Sequence, residues 1–294
     1  MFLGTLIGDA YGMGFEYQTF LPEENNATKF RKHGLYTNLL PGQYTDDTQM
    51  TIANAKVILK HKDKLSSLTP LDFANEYVSE FKFNPIFGYA KGLQSVLMEV
   101  NSGIELLNKI SAFGKTNRNG SLMRCLPFSF LKDKELIISL VGIQGSVTHE
   151  GLGVETAKTM ALFGKEILEQ SKTKEQWFGW LENNFPQFSP WKWDGSPVKG
   201  ENLSVATMKA AATAFLNSLE GDLTNTLIES VSYTGDTDTV ASLACGLREM
   251  AFGKFGKEEV VSHKLWDSLW NDNPAFGRDY VREFDRTFQK EMNK

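Results

Sequence analysis

The chain has 294 residues, of which 41% are apolar, enough for a sizeable hydrophobic core in one large domain. Its formal net charge of −5 and its lack of a long basic run argue against sequence-independent binding to a nucleic-acid backbone. No apolar run is long enough to span a bilayer, and the first residues lack the basic region of a signal peptide. Cys125 and Cys245 lie in apolar helical contexts, so we expect reduced core thiols and a cytoplasmic protein.

Helical periodicity dominates the chain, whereas the β-branched alternation typical of strands is nearly absent. An apolar face over residues 3–10 predicts that a helix begins almost at once. Thr69 and Pro70 form a cap and first-turn pair that begins a later helix. Further apolar stripes at helical spacing predict helices over residues 93–100, 154–167, 205–215 and 223–231. No composition shift indicates an interdomain linker, so we expect one domain over residues 1–294.

Two segments look irregular in the sequence. Residues 17–45 contain prolines and glycines without a sustained apolar period. Residues 177–202 are rich in tryptophan and proline, and we favour a packed surface loop there over a mobile lid.

Two short acidic clusters, at residues 45–48 (Thr-Asp-Asp-Thr) and 235–239 (Gly-Asp-Thr-Asp-Thr), each open a small-residue, apolar stretch typical of a helix. Acids in a first turn often only offset the helix dipole. Two acid pairs at buried helix starts are costly, however, unless cations lie between them. Hard oxygen ligands without His or Cys favour Mg²⁺, Mn²⁺ or Ca²⁺, and the number of acids suits two ions.

Three further features carry possible chemistry. Asn119, Gly120 and Ser121 read as a helix start with exposed backbone amides, suited to a phosphate or diphosphate, although the same residues also form ordinary turns. His149 stands at another helix start, where a single histidine is more often structural than functional. Glu16 follows closely spaced glycines that indicate a mobile or tightly packed turn.

Taken in chain order, these motifs resemble the ADP-ribosylglycohydrolase family. The resemblance rests on Gly8-Asp9-Ala10-Tyr11-Gly12 with Glu16, Thr45-Asp46-Asp47-Thr48, Asn119-Gly120-Ser121-Leu122-Met123-Arg124, Thr148-His149 and Gly235-Asp236-Thr237-Asp238-Thr239. It implies an all-α fold, a single compact orthogonal helical domain with a binuclear Mg²⁺ or Mn²⁺ centre.

The resemblance also implies a role for each matching residue. The metal ligands would be Thr45, Asp46, Asp47, Asp236, Asp238 and Thr239. Asn119, Gly120 and Ser121 would cradle the diphosphate of ADP-ribose, and His149 would help to hold ADP-ribose. Glu16 would lie near the metals and the scissile bond, so Glu16, Asp47 or Asp236 would take the proton of the attacking water.

The activity implied is hydrolysis of the N- or O-glycosidic bond between ADP-ribose and a modified protein side chain, with arginine favoured. The expected partners are the ADP-ribosylated protein and the product ADP-ribose, with two Mg²⁺ or Mn²⁺ as cofactors and a monomer favoured. Alternatives are another linkage (serine, nucleic acid or small molecule) and a noncatalytic ADP-ribose-binding or structural protein. Thr116, Arg118 and Thr234 depart from the family pattern, which puts the route of proton transfer and the leaving group in question.

Overall fold

The computed structural model describes residues 1–34, 36–252, 263–273 and 275–293. Within these ranges the regular structure is fourteen α-helices and four short 3-10 helices, with isolated bridges between Thr116 and His149 and between Val198 and Gly235 in place of strands. The α-helices are α1 (Phe2–Gly12), α2 (Asp46–Lys60), α3 (Pro70–Phe83), α4 (Lys91–Glu99), α5 (Gly103–Phe113), α6 (Gly120–Met123), α7 (Lys134–Ser146), α8 (Leu152–Glu169), α9 (Lys174–Asn184), α10 (Leu203–Asn217), α11 (Leu223–Ser232), α12 (Thr237–Phe252), α13 (His263–Asp267) and α14 (Arg278–Met292). The prediction of an all-α fold is confirmed.

Two helices begin where their cap residues predict, whereas the start expected at His149 is wrong, because α8 begins at Leu152 after the N-cap Gly151. Thr45 is the N-cap of α2, and Thr69 is the N-cap of α3 with Pro70 in its first turn. Helix α12 begins directly after Asp236. The two acidic clusters therefore both lie at helix N-termini, where the unpaired backbone N–H groups and the helix dipole favour negative charge.

Helix α1 packs backbone to backbone against α12. Gly4, Gly8 and Gly12 are spaced by one helical turn and form the contact face of α1, so that a Cβ added at Gly8 would lie 2.2 Å from the carbonyl oxygen of Ala241. Only a row of glycines allows two helices to approach so closely. This packing brings the C-terminal end of α1 and the residues after it alongside the acidic start of α12.

The two segments that look irregular in sequence differ in the structure. Residues 17–45 contain only the 3-10 turn Pro22–Glu24 among their described residues, as predicted. The expectation for residues 177–202 is wrong in its first part, because α9 covers Lys174–Asn184 and begins with a capping box at Thr173. Trp177 and Trp191 are buried, so the aromatic residues here contribute to the core.

Cys125 and Cys245 are buried free thiols, in agreement with the prediction from their apolar contexts. No helix of the part of the chain that the structure describes has both the length and the apolarity needed to cross a membrane.

Candidate active site

Asp9 links the end of α1 to the start of α2. The side chain is fully buried and accepts hydrogen bonds from the hydroxyls of Thr45 and Thr48, both at 2.7 Å, and from their backbone N–H groups, both at 3.0 Å. Asp9 thus caps α2 from another helix, a task that the Thr45 side chain does not perform. Burial raises the pKa of Asp9 above its usual value, although these hydrogen bonds oppose the shift. The sequence indicates no role for Asp9 beyond its place in the Gly8-Asp9 motif.

Asp47 joins the start of α2 to α12. Its Oδ1 accepts a hydrogen bond from Ser242 Oγ at 2.9 Å, and its Oδ2 lies 3.4 Å from Thr239 Oγ1. Residues of the two acidic clusters, far apart in the chain, therefore meet as the sequence predicted. Ser242 is a second site residue that sequence reasoning missed, because a single serine inside a small-residue, apolar stretch carries no signal of this contact.

A third segment brings Glu16 into the same cluster. Carboxylate oxygens of Glu16, Asp236 and Asp238 all lie within 4.8 Å of one another, an arrangement that could hold a metal ion. Two hydrogen bonds to main-chain carbonyls support it, since Tyr17 N donates to Gly235 O at 2.8 Å and the side chain of Thr237 donates from Oγ1 to Gly12 O at 2.7 Å. Glu16 therefore lies beside the acids of α12.

The Gly88 backbone passes close to Thr45 and Asp46 at the start of α2. It has φ +123°, and an added Cβ would lie 2.8 Å from Asp46 Oδ1. A side chain at this position would therefore collide with one of the predicted metal ligands.

The electrostatics of the cluster favour cations. Burial raises the pKa of Asp46, Asp47 and Asp238 well above the usual value, and the neighbouring acids raise it further. Across residues 1–34, 36–252, 263–273 and 275–293, no lysine or arginine forms a salt bridge with any of these three. Buried oxygen donors without a protein cation match the preference of hard divalent ions such as Mg²⁺ and Mn²⁺.

The predicted diphosphate loop lies against this cluster. Asn119 Nδ2 donates to Asp236 Oδ2 at 2.6 Å and to Thr207 Oγ1 at 3.2 Å. Gly120 packs on the ring of His149, because an added Cβ would lie 2.9 Å from Nε2. The structure thus brings Asn119 into contact with Asp236 and Gly120 into contact with His149.

Ser121 differs from its neighbours in the loop. Its hydroxyl oxygen is buried and accepts a hydrogen bond from Gln144 Nε2 at 3.0 Å. Any contact with a ligand would therefore fall to its backbone N–H.

His149 is held in one orientation by Thr148 and Arg124. Thr148 Oγ1 lies 2.7 Å from Nδ1 of His149 and accepts a hydrogen bond from Arg124 Nη2 at 2.9 Å. The Thr148 hydroxyl can in turn donate to Nδ1, and in that tautomer the ring hydrogen lies on Nε2, the atom beside Gly120. Burial, with a smaller contribution from the positive charge of Arg124, lowers the pKa of His149 well below its usual value, so the ring is neutral at pH 7.

His33 is another residue that sequence reasoning missed. Its Nε2 lies 2.6 Å from Glu16 Oε2, although it is 17 positions away in the irregular segment. A single histidine between Lys32 and Gly34 carries no signal of this contact in the sequence.

Residues 1–248 match the family model of the ADP-ribosylglycohydrolases, and the chain belongs to that family. Glycohydrolases cleave glycosidic bonds, and this family is typically metal-dependent. A solved structure described as an ADP-ribosylglycohydrolase-related protein complex has a similar fold, with a TM-score of 0.71 and 20% sequence identity. The similarity covers 98% of this chain and 95% of that one. Among curated proteins, none matches this sequence.

Proposed function

We propose that this protein is a divalent-cation-dependent hydrolase that releases ADP-ribose from a modified protein side chain, with arginine as the favoured linkage. The observation that carries the proposal is the convergence of carboxylates from three segments, with Asn119 in contact with Asp236 and the neighbouring Gly120 packed on the ring of His149. The family membership supports the reaction class.

The residues that would hold two Mg²⁺ or Mn²⁺ ions are Thr45, Asp46, Asp47, Asp236, Asp238 and Thr239, with Glu16 next to them. Such ions, when bound, polarise substrate oxygens and lower the pKa of water. Thr45 suits this role because its hydroxyl donates its hydrogen to Asp9, so that the oxygen lone pairs remain for a cation.

The donors for ADP-ribose would come from the loop in which Asn119 contacts Asp236. They would be the backbone N–H groups of Gly120 and Ser121 and, in the tautomer with Nδ1 accepting from Thr148, the Nε2–H of His149. Since burial keeps His149 neutral, this ring would offer the same donor over a wide range of pH. Donors fixed before the substrate arrives need no reorganisation during the reaction.

Glu16 is the strongest candidate for the proton acceptor, with Asp47 and Asp236 as the other candidates. Burial and the charge of Asp236 raise the pKa of Glu16, which makes its carboxylate a better base near neutral pH. The hydrogen bond from His33 opposes this shift.

The preference for arginine follows from charge. The site contains six carboxylates, from Asp9, Glu16, Asp46, Asp47, Asp236 and Asp238, so two divalent ions, if bound, would leave it with an excess of negative charge. A guanidinium leaving group is favoured there over a neutral serine hydroxyl.

A release assay tests the proposal. Purified protein is incubated with arginine-modified or serine-modified proteins, with Mg²⁺ or Mn²⁺ or with a chelator, and free ADP-ribose is measured. We expect release from the arginine-modified protein only when metal is present. Asp47→Asn and Asp236→Asn should lose activity, whereas Asp63→Asn, at an exposed acid outside the site, should keep it. Full release by Asp47→Asn or Asp236→Asn would refute the proposed site, and preferential release from serine would refute the linkage.

A further inference from the structure

We propose that His33 is a positioning residue that holds Glu16 within the acidic cluster. The inference deepens the proposed function and rests on it for the role of Glu16, but the geometry on which it depends is independent of the linkage that is cleaved.

The direction of the hydrogen bond between His33 and Glu16 follows from a second contact. The backbone N–H of Tyr36 donates to Nδ1 of His33 at 3.0 Å. A backbone N–H can only donate, so Nδ1 is an acceptor and the ring hydrogen lies on Nε2. His33 therefore donates from Nε2 to Glu16 Oε2, at 2.6 Å.

Glu16 needs such a partner because its acidic neighbours repel it. Its carboxylate lies within 4.8 Å of those of Asp236 and Asp238, and their negative charges favour a Glu16 side chain turned out towards solvent. Its backbone is anchored nearby through Tyr17, but this contact does not hold the carboxylate. Among the residues with described positions, His33 is the only side chain that donates a hydrogen bond to Glu16.

His33 itself is well supported. It is 3% exposed, and the ring of Tyr36 lies over it with the ring centroids 4.7 Å apart. The Tyr36 ring in turn stacks with Phe87, the neighbour of Gly88, where an added Cβ would lie 2.8 Å from Asp46 Oδ1. His33 is thus fixed before a cation or substrate arrives, and it occupies only one carboxylate oxygen of Glu16. The other oxygen remains available to a cation or to water.

Outer hydrogen-bond partners of this kind typically change metal affinity or activity by about 10–100-fold when they are removed. We therefore expect His33→Ala to weaken Mn²⁺ binding by about 10–100-fold and to lower kcat with little change in KM. His33→Gln should restore most of both, because its amide can accept from the Tyr36 N–H and donate to Glu16.

The experiment measures Mn²⁺ affinity by titration calorimetry and by the electron paramagnetic resonance signal of free Mn²⁺, together with kcat and KM. His61→Ala is the matched control, since His61 lies at the far end of α2 from the acidic cluster. A double-mutant cycle adds Glu16→Ala, in whose background His33→Ala should cause no further loss.

Wild-type Mn²⁺ affinity and kcat in His33→Ala would overturn the proposal. So would a His33→Gln variant as weak as His33→Ala, or an undiminished effect of His33→Ala in the Glu16→Ala background. If the wild-type protein releases no ADP-ribose, the proposed function fails, whereas the Mn²⁺ titrations and the cycle still decide the role of His33.

Discussion

Replacing Gly8 by alanine tests the packing that assembles the site. The added Cβ would lie 2.2 Å from the carbonyl oxygen of Ala241 and 2.7 Å from the backbone nitrogen of Ser242. Both are backbone atoms of α12, so neither can move out of the way as a flexible side chain could. The two helices would have to separate.

The expected cost can be worked from this overlap. To restore an ordinary van der Waals distance, α1 and α12 would have to move apart by about 1 Å. A gap of that size between the two helices loses about a quarter to a half of the dispersion energy of each contact that it opens. Overpacking of this kind costs about 1–3 kcal/mol, and occasionally more. Because Asp9 is the next residue, the same shift moves the acid that caps α2, so Mn²⁺ binding should weaken as well.

Gly179→Ala is the matched control. Gly179 lies inside helix α9, is exposed and has no atom within 4 Å of an added Cβ. There the substitution should stabilise the protein by about 0.4–1 kcal/mol, since alanine loses less backbone entropy on folding. Urea denaturation measures both variants. If Gly8→Ala unfolds at the same urea concentration as the wild type, the backbone-to-backbone packing of α1 and α12 is refuted.

Three further outcomes are expected. Asp9→Ala leaves the backbone N–H groups of Thr45 and Thr48, at the start of α2, without their acceptor. The free energy of unfolding, measured by urea denaturation, should fall by about 1–3 kcal/mol. An unchanged midpoint of urea denaturation would contradict this. Asn119→Ala removes the donor to Asp236 and should weaken Mn²⁺ binding by about 10–100-fold in calorimetry, whereas unaltered affinity would show that the contact does not orient the acid. Burial, and to a smaller extent the charge of Arg124, lowers the pKa of His149 in the folded protein, so the ring stays neutral there. In the unfolded chain the ring takes up a proton once the pH falls below its usual pKa. The resulting stability is complete above pH ~6.5 and falls by up to about 1.4 kcal/mol per pH unit as the pH drops from there towards the pKa of the folded state. His149→Asn should lose this part of the slope just below pH 6.5, and an identical slope in variant and wild type would contradict the neutral ring.

The helix starts and the acidic clusters could be predicted from the sequence because their signals are local. Thr45 and Thr69 precede apolar periods, and the acids stand in or next to the first helical turn, so a short window of sequence contains all the information needed. The order of the motifs added the resemblance, and with it the expectation that residues 45–47 and 236–239 meet. The distance of 3.4 Å between Asp47 Oδ2 and Thr239 Oγ1 agrees with that expectation.

The partners of these acids could not be predicted, because they depend on tertiary packing. Asp9 acts on the start of another helix, and Ser242 reaches Asp47 only because α12 packs beside α2. His33 lies in a segment without periodicity, where no pattern indicates the direction of a side chain. The glycine row at Gly4, Gly8 and Gly12 is different, because it can be seen in the sequence. Its spacing of four residues already predicts a close contact between α1 and another helix.

The helix at Lys174–Asn184 shows why composition alone can mislead. Tryptophan and proline over residues 177–202 indicated a loop, but the prolines begin only at Pro186, after the helix has ended. Trp177 and Trp180 have helical spacing and both pack on Phe163, so burial of aromatic surface stabilises a helix there.

The central claim is that carboxylates from three separate segments meet in order to hold divalent cations. Anomalous diffraction at the manganese edge, from crystals grown with excess Mn²⁺, tests it most directly. We expect two peaks among Glu16, Asp46, Asp47, Asp236 and Asp238, both lost in Asp47→Asn crystals or reduced to one. The absence of a peak among these oxygens in fully soaked wild-type crystals would contradict the account.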